Sequence, residues 1–86
     1  MPEISRFYGI VVAIYYADHN PPHFHATYQS RTVEIEIRTL AILDGSISGR
    51  ALGLVAEWAA MHQDELAEDW RLASEGRQPK KIDPLA

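Results

Sequence analysis

The chain has no cysteine among its 86 residues. That excludes a disulfide framework and a thiolate metal site, and it fits a reducing compartment. Cationic residues are also scarce: eight Lys and Arg stand against twelve Asp and Glu, a net charge of −4. This balance argues against nucleic acid as a partner, because affinity for a phosphate backbone comes from counterions that a basic surface displaces. Long hydrophobic runs are absent too. The longest, residues 10–17, falls far short of the ~20 residues of a membrane span, and no basic stretch followed by an apolar one opens the chain. There is no phosphate-cradling glycine loop and no Ser/His/Asp elbow, and Gly45 and Gly49 are spaced as turns. A bacterial-type cytoplasmic protein without a membrane partner is the expectation.

With 47% hydrophobic and 23% charged residues the chain reads as globular. A chain this short has room for one domain, residues 1–86, burying a little over ~60% of its unfolded surface. One layer of sheet against one or two helices is about all it can build. Ile10 to Ala17 is β-branched and aromatic on both faces, as in a central strand. Asp18 to Pro22 is a loop, because Pro21 and Pro22 lack backbone donors and Asn20 before a proline avoids helical geometry. His25 to Tyr28 starts a second strand, which turns over Gln29-Ser30 into residues 32–38. There Val33, Ile35 and Ile37 alternate with polar residues, the period of a strand with one wet face. Residues 41–43 are a candidate fourth strand before the turn dipeptide Asp44-Gly45.

From Ser48, an N-cap residue type, the spacing becomes helical. Leu52, Val55, Ala59, His62, Leu66, Trp70 and Ala73 recur at three- and four-residue steps, and Gly76 and Pro79 supply stop signals. The expected fold is α+β: a small antiparallel sheet of three to four strands, then one long helix over about 48–75 on one face, then a tail over 77–86. Such a helix is about 40 Å long at ~1.5 Å per residue, against about 23 Å for a seven-residue strand. One end must therefore overhang. The helix breaks near Asp64, or its Trp70 end packs on the tail Ile82 to Leu85, or the overhang meets another chain. The acids Glu57, Asp64, Glu65, Glu68, Asp69 and Glu75 read as its solvated face.

Three of the four histidines fall within seven residues, in Asp18-His19-Asn20-Pro21-Pro22-His23-Phe24-His25. Histidine titrates near neutral pH and is the commonest metal ligand. If Phe24 is extended, His23 and His25 project from one face with Cα atoms ~6–7 Å apart, a spacing at which two imidazoles can converge on one ion. His19, returned by the proline bend, or His62, from the apolar stripe of the helix, is the third candidate ligand, with Asp18 or Glu65 as oxygen donors. A zinc ion so held, with an open fourth position, would acidify a bound water. Without metal, His23 with His25 or His62 is a candidate acid/base pair. The bland alternative is a hydrogen-bonded corner, with His62 an ordinary core residue. His23-Phe24-His25-Ala26-Thr27 does not complete a histidine triad, because Thr27 stands at the third position, and the His-x-Thr of His25 to Thr27 has no second copy.

The opening residues 1–10, the Asp18 to Ala26 block, Arg50-Ala51-Leu52, Glu57-Trp58-Ala59 with His62 to Leu66, and the tail Pro79 to Leu85 resemble the bacterial domain of unknown function 4160 family. The resemblance implies a small protein, often encoded beside another small domain in what looks like a toxin–antitoxin or regulatory pair, and it assigns no catalytic residue. Two functions follow as expectations. The first is a protein-interaction module for the product of a neighbouring gene, with self-association open. The second is a small hydrolase acting on nucleic acid or nucleotide, with His23, His25 and either His19 or His62 as metal ligands or acid/base groups.

Overall fold

A computed structural model describes residues 2–86. Five strands, β1 (Glu3–Phe7), β2 (Ile10–Ala13), β3 (His23–Tyr28), β4 (Arg31–Glu36) and β5 (Ile42–Gly45), form one antiparallel sheet in chain order. Two helices follow, α1 (Gly49–Met61) and α2 (Gln63–Ser74). The α+β class is as expected, but the sheet has five strands rather than three or four. The additional strand is β1, five residues too short for its alternation to stand out. Tyr8 and Gly9 between β1 and β2, and Gln29 and Ser30 between β3 and β4, all have positive φ. Two such residues in succession match the right-handed twist of the flanking strands, so both hairpins close tightly.

Several strand boundaries differ from those expected: β4 starts one residue early, at Arg31, and β5 takes in Asp44-Gly45, read above as a turn, because Asp44 pairs with Glu34 and Gly45 with Val33. β2 stops at Ala13, four residues early, because Ala17 turns with φ +52° and gives its N–H to Ala73 O on α2. β3 begins two residues early, at His23 rather than His25. β4 ends at Glu36, since Leu40 takes φ +62° and Ile37 N–H goes to Pro22 O.

One long helix is the larger correction. It breaks at His62 (φ −130°, ψ 25°), within two residues of Asp64, where a break was one of three ways to accommodate the overhang. Gln63 holds the break, its side-chain amide donating to Ile37 O and Arg38 O at 2.9 and 3.1 Å. Asp64 and Glu65 then fall in the first turn of α2, where carboxylates favour the positive end of the helix dipole. Trp70 packs against His23, with ring centroids 5.2 Å apart. The tail meets β1 and α1 as well as α2: Ile82 N–H bonds Ile4 O, and Trp58 Nε1 donates to Asp83 O at 2.7 Å.

Alternation gives the sheet two unlike faces. Ile10, Val12, Phe24, Ala26, Val33 and Ile35 join Val55, Trp58 and Ala59 of α1 in the buried cluster. The register places Ala13, His25 and Glu34 in one row across the opposite face. The hydrophobic helix is spent on the first face, so polar chemistry is confined to the second.

Gly45 closes β5 with φ +76°, and a Cβ there would sit 2.1 Å from Thr32 O. Gly45→Ala should cost about 2 kcal/mol in urea unfolding and speed hydrogen exchange in β5 above the rest of the sheet. An unchanged midpoint would contradict the clash.

Asp69, 1% exposed, accepts Lys80 N–H at 2.9 Å and so anchors the tail. Burial pushes its carboxyl above its ordinary value, Glu65 and Glu68 add to the rise, and the Lys80 N–H opposes it. A carboxyl whose folded pKa exceeds its unfolded one contributes its full stability below the unfolded value of about 3.9, and loses it as pH rises through the folded value. Urea midpoints should therefore fall from about pH 4 toward neutrality more steeply in the native protein than in Asp69→Asn. Parallel pH profiles would refute this.

Candidate metal centre

The loop between β2 and β3 returns over the polar face of the sheet and brings Asp18 to the two histidines of β3. Strand geometry sets the histidines, because His23 and His25 flank the fully buried Phe24 and share the face opposite it. Asp18 Oδ2 lies 3.0 Å from His23 Nε2 and 3.3 Å from His25 Nε2. One ligand-capable atom from each of the three residues lies within 4.8 Å of the others, the only such group of three among the described residues.

His23 is 2% exposed, and its Nδ1 is 2.7 Å from Pro21 O. A carbonyl only accepts, so Nδ1 carries a proton, and a neutral ring presents a bare lone pair at Nε2. That nitrogen makes no hydrogen bond: Asp18 Oδ2 is near but too oblique, and Glu34 Oε1 stands 3.5 Å away. A buried nitrogen lone pair flanked by two carboxylates is unfavourable unless a cation, either a second ring proton or a metal ion, joins them. Holding the other ring nitrogen on a backbone carbonyl is also how proteins fix an imidazole for ligation.

Asp18 is fixed from its other oxygen, where Oδ1 accepts the His19 N–H at 2.8 Å. Burial pushes its carboxyl up, but the His19 backbone N–H, the His25 ring and the charges of His23 and His19 outweigh it, and the net direction is down. Asp18 is thereby kept as the carboxylate that a metal ligand must be. The His25 ring stands edge-on to Tyr15, with centroids 4.3 Å apart, which limits its rotation.

Each candidate from the sequence now has a place. His23 and His25 come together, and Asp18, named there only as an oxygen donor, joins both. His19 is 84% exposed and approaches Asp18 Oδ1, not the Oδ2 that faces His23 and His25, at 3.1 Å, with its ring centroid 5.8 Å from that of His23. His62 belongs to the helix joint, where its Nδ1 meets Glu65 Oε1 at 2.5 Å and its ring packs on Trp58. Neither His62 nor Glu65 is part of the cluster. Two neighbours escaped the sequence reading, Glu34 and Trp70. Glu34 had a signal: a two-residue turn at Gln29-Ser30 pairs Tyr28 with Arg31 and, three steps on, His25 with Glu34. Trp70 had none, since its approach depends on the helix break.

The fold and site define a small antiparallel α+β protein with a histidine–aspartate cluster on the sheet face away from its main helix. The chain belongs to the family described as Domain of unknown function (DUF4160), whose model matches residues 9–71, a span that includes the whole cluster. No curated protein and no solved structure matches the chain significantly. No helix is long and apolar enough to cross a membrane among the described residues.

Proposed function

We propose that Asp18, His23 and His25 bind a divalent transition metal such as zinc, and that the protein is a small metal-dependent hydrolase. The observation that carries this is the buried, unbonded Nε2 of His23, set between two carboxylate oxygens with its Nδ1 already committed. The donor spacing suits an ion. Ligands ~2.0–2.1 Å from zinc in a tetrahedron are about 3.3 Å apart, and Asp18 Oδ2 lies 3.0 and 3.3 Å from the two nitrogens. Two histidines and one carboxylate leave a position for water, whose pKa zinc lowers toward ~7. Native mass spectrometry of untagged, zinc-supplied protein should find one ion per chain, and none in Asp18→Asn. A chain that takes up no ion when zinc is supplied would end this reading.

A protein-interaction module is the second reading, favoured by the edge strand β5. All four of its residues are exposed, Ile42 is 50% and Leu43 41% exposed, and neither lysine nor proline blocks pairing. With Asp44 in the strand and a net charge of −4, the partner it fits is an apolar, basic strand added to the sheet edge. Co-expression with the product of the neighbouring gene should give a complex that Leu43→Lys abolishes, and a complex insensitive to that change would place the interface elsewhere.

A further inference from the structure

Glu34 is the group that the metal reading leaves without a task. It faces His25 directly across the β3–β4 pair, and its Oε1 is 3.5 Å from His23 Nε2. Yet it is outside the group of three whose ligand atoms lie within 4.8 Å of one another. Its carboxylate accepts no hydrogen bond among the described residues. Glu36, the residue paired with His23, differs in this respect, since its Oε1 takes the Thr39 hydroxyl at 2.7 Å. Glu34 is 29% exposed at its side chain, so it stands between the cluster and solvent.

The surrounding sheet face carries the same sign. Asp44 pairs with Glu34 across β4 and β5, and Glu36 is two residues along β4. On β1 Glu3 faces Ala13, and the cation beside it, Arg6, is already bound to Glu3 at 2.8 Å. A ligand approaching over this face meets Glu34, Glu36 and Asp44, none of them paired with a lysine or arginine among the described residues, and the nearest is Glu34 at the edge of the cluster. Like charges held a few ångströms apart at a partly desolvated site repel strongly.

We infer that Glu34 stands beside the ion of this site without ligating it, and that its charge makes the open position take an uncharged donor atom, including one on a molecule that is cationic elsewhere, and turn away a phosphate-bearing one. This rests on the metal reading above. It narrows that reading, because it moves the substrate class away from nucleic acids and nucleotides toward neutral carbonyl compounds or amines.

The test uses cobalt(II) in place of zinc, so that the visible spectrum reports the ligands of the ion. The native protein and Glu34→Gln are each loaded with one cobalt and titrated with inorganic phosphate and, separately, with neutral imidazole. Both proteins should give the same spectrum before titration. Phosphate should perturb Glu34→Gln at a concentration at least tenfold below that needed for the native protein, while imidazole binds both within about twofold. Equal responses to phosphate, including none in either protein, would overturn the inference. So would a spectrum altered by Glu34→Gln alone, which would make Glu34 a ligand, or a parallel gain for imidazole, which would make it a steric plug. Failure of both proteins to take up cobalt would instead remove the metal site, and this inference with it.

Discussion

Zinc should raise the unfolding midpoint of the protein by about 10–20 °C, and His25→Ala should abolish the rise. An ion that binds the native state and not the unfolded one stabilises by about 2.7 kcal/mol at a concentration one hundred times its dissociation constant. In a domain of this size each kcal/mol is worth about 4–8 °C. The native state alone assembles the proposed ligands: Asp18 is seven residues from His25 along the chain, and only the return of the loop onto β3 brings Oδ2 within 3.3 Å of Nε2. His25 serves better than His23 as the variant, since His23 is buried against Trp70 and its loss would also leave a void. Differential scanning calorimetry with and without zinc measures the shift. An identical rise in native protein and His25→Ala would mean that the ion binds elsewhere.

Trp58→Ala should be the most destabilising single change in the core, by about 3–5 kcal/mol. Natural domains of this length have roughly 4–13 kcal/mol in total, so the variant should lose at least about 12 °C or show no cooperative transition. Trp58 is fully buried, its ring lies 5.4 Å from Phe7 and 6.1 Å from Phe24, and its Nε1 holds the tail through Asp83 O. Trp58→Phe separates the two roles. It keeps an aromatic ring but removes the donor and part of the buried volume, so it should cost about 2 kcal/mol, less than Trp58→Ala, and loosen the tail, read as faster exchange of the Ile82 amide. If Trp58→Phe leaves that amide protected, the tail is held by its other contacts.

The sheet was legible where alternation and turn chemistry agree. Val33, Ile35 and their polar neighbours mark β4, and Gln29-Ser30 marks the turn that sets its register. β1 was not legible, because five residues carry little periodicity and its pairing is confirmed only by β2. The helix break was half legible. Asp64 and Glu65 suit a helix N-terminus, but an unbroken apolar stripe runs through His62, and what interrupts the backbone there is Gln63 reaching Ile37 O and Arg38 O, residues 25 or more positions away. For the same reason His62 read as a partner of the histidine block: it lies on the buried stripe, but the break leaves it beside Glu65 and Trp58.

By itself the sequence determined the composition of the site and part of its geometry. It contains no thiolate, so an ion can meet only nitrogen and oxygen, and His-x-His in an extended segment must present two imidazoles on one face. Tertiary structure decided which third group joins them. The loop could have offered His19 as readily as Asp18, and it turns Asp18 inward while His19 remains in water. It also set Glu34 beside the cluster through strand pairing and sealed His23 beneath Trp70 through the helix break. Local chemistry sets which side chains are available and which way a strand points them, whereas convergence depends on contacts between residues far apart in the chain, whose closure no local pattern encodes.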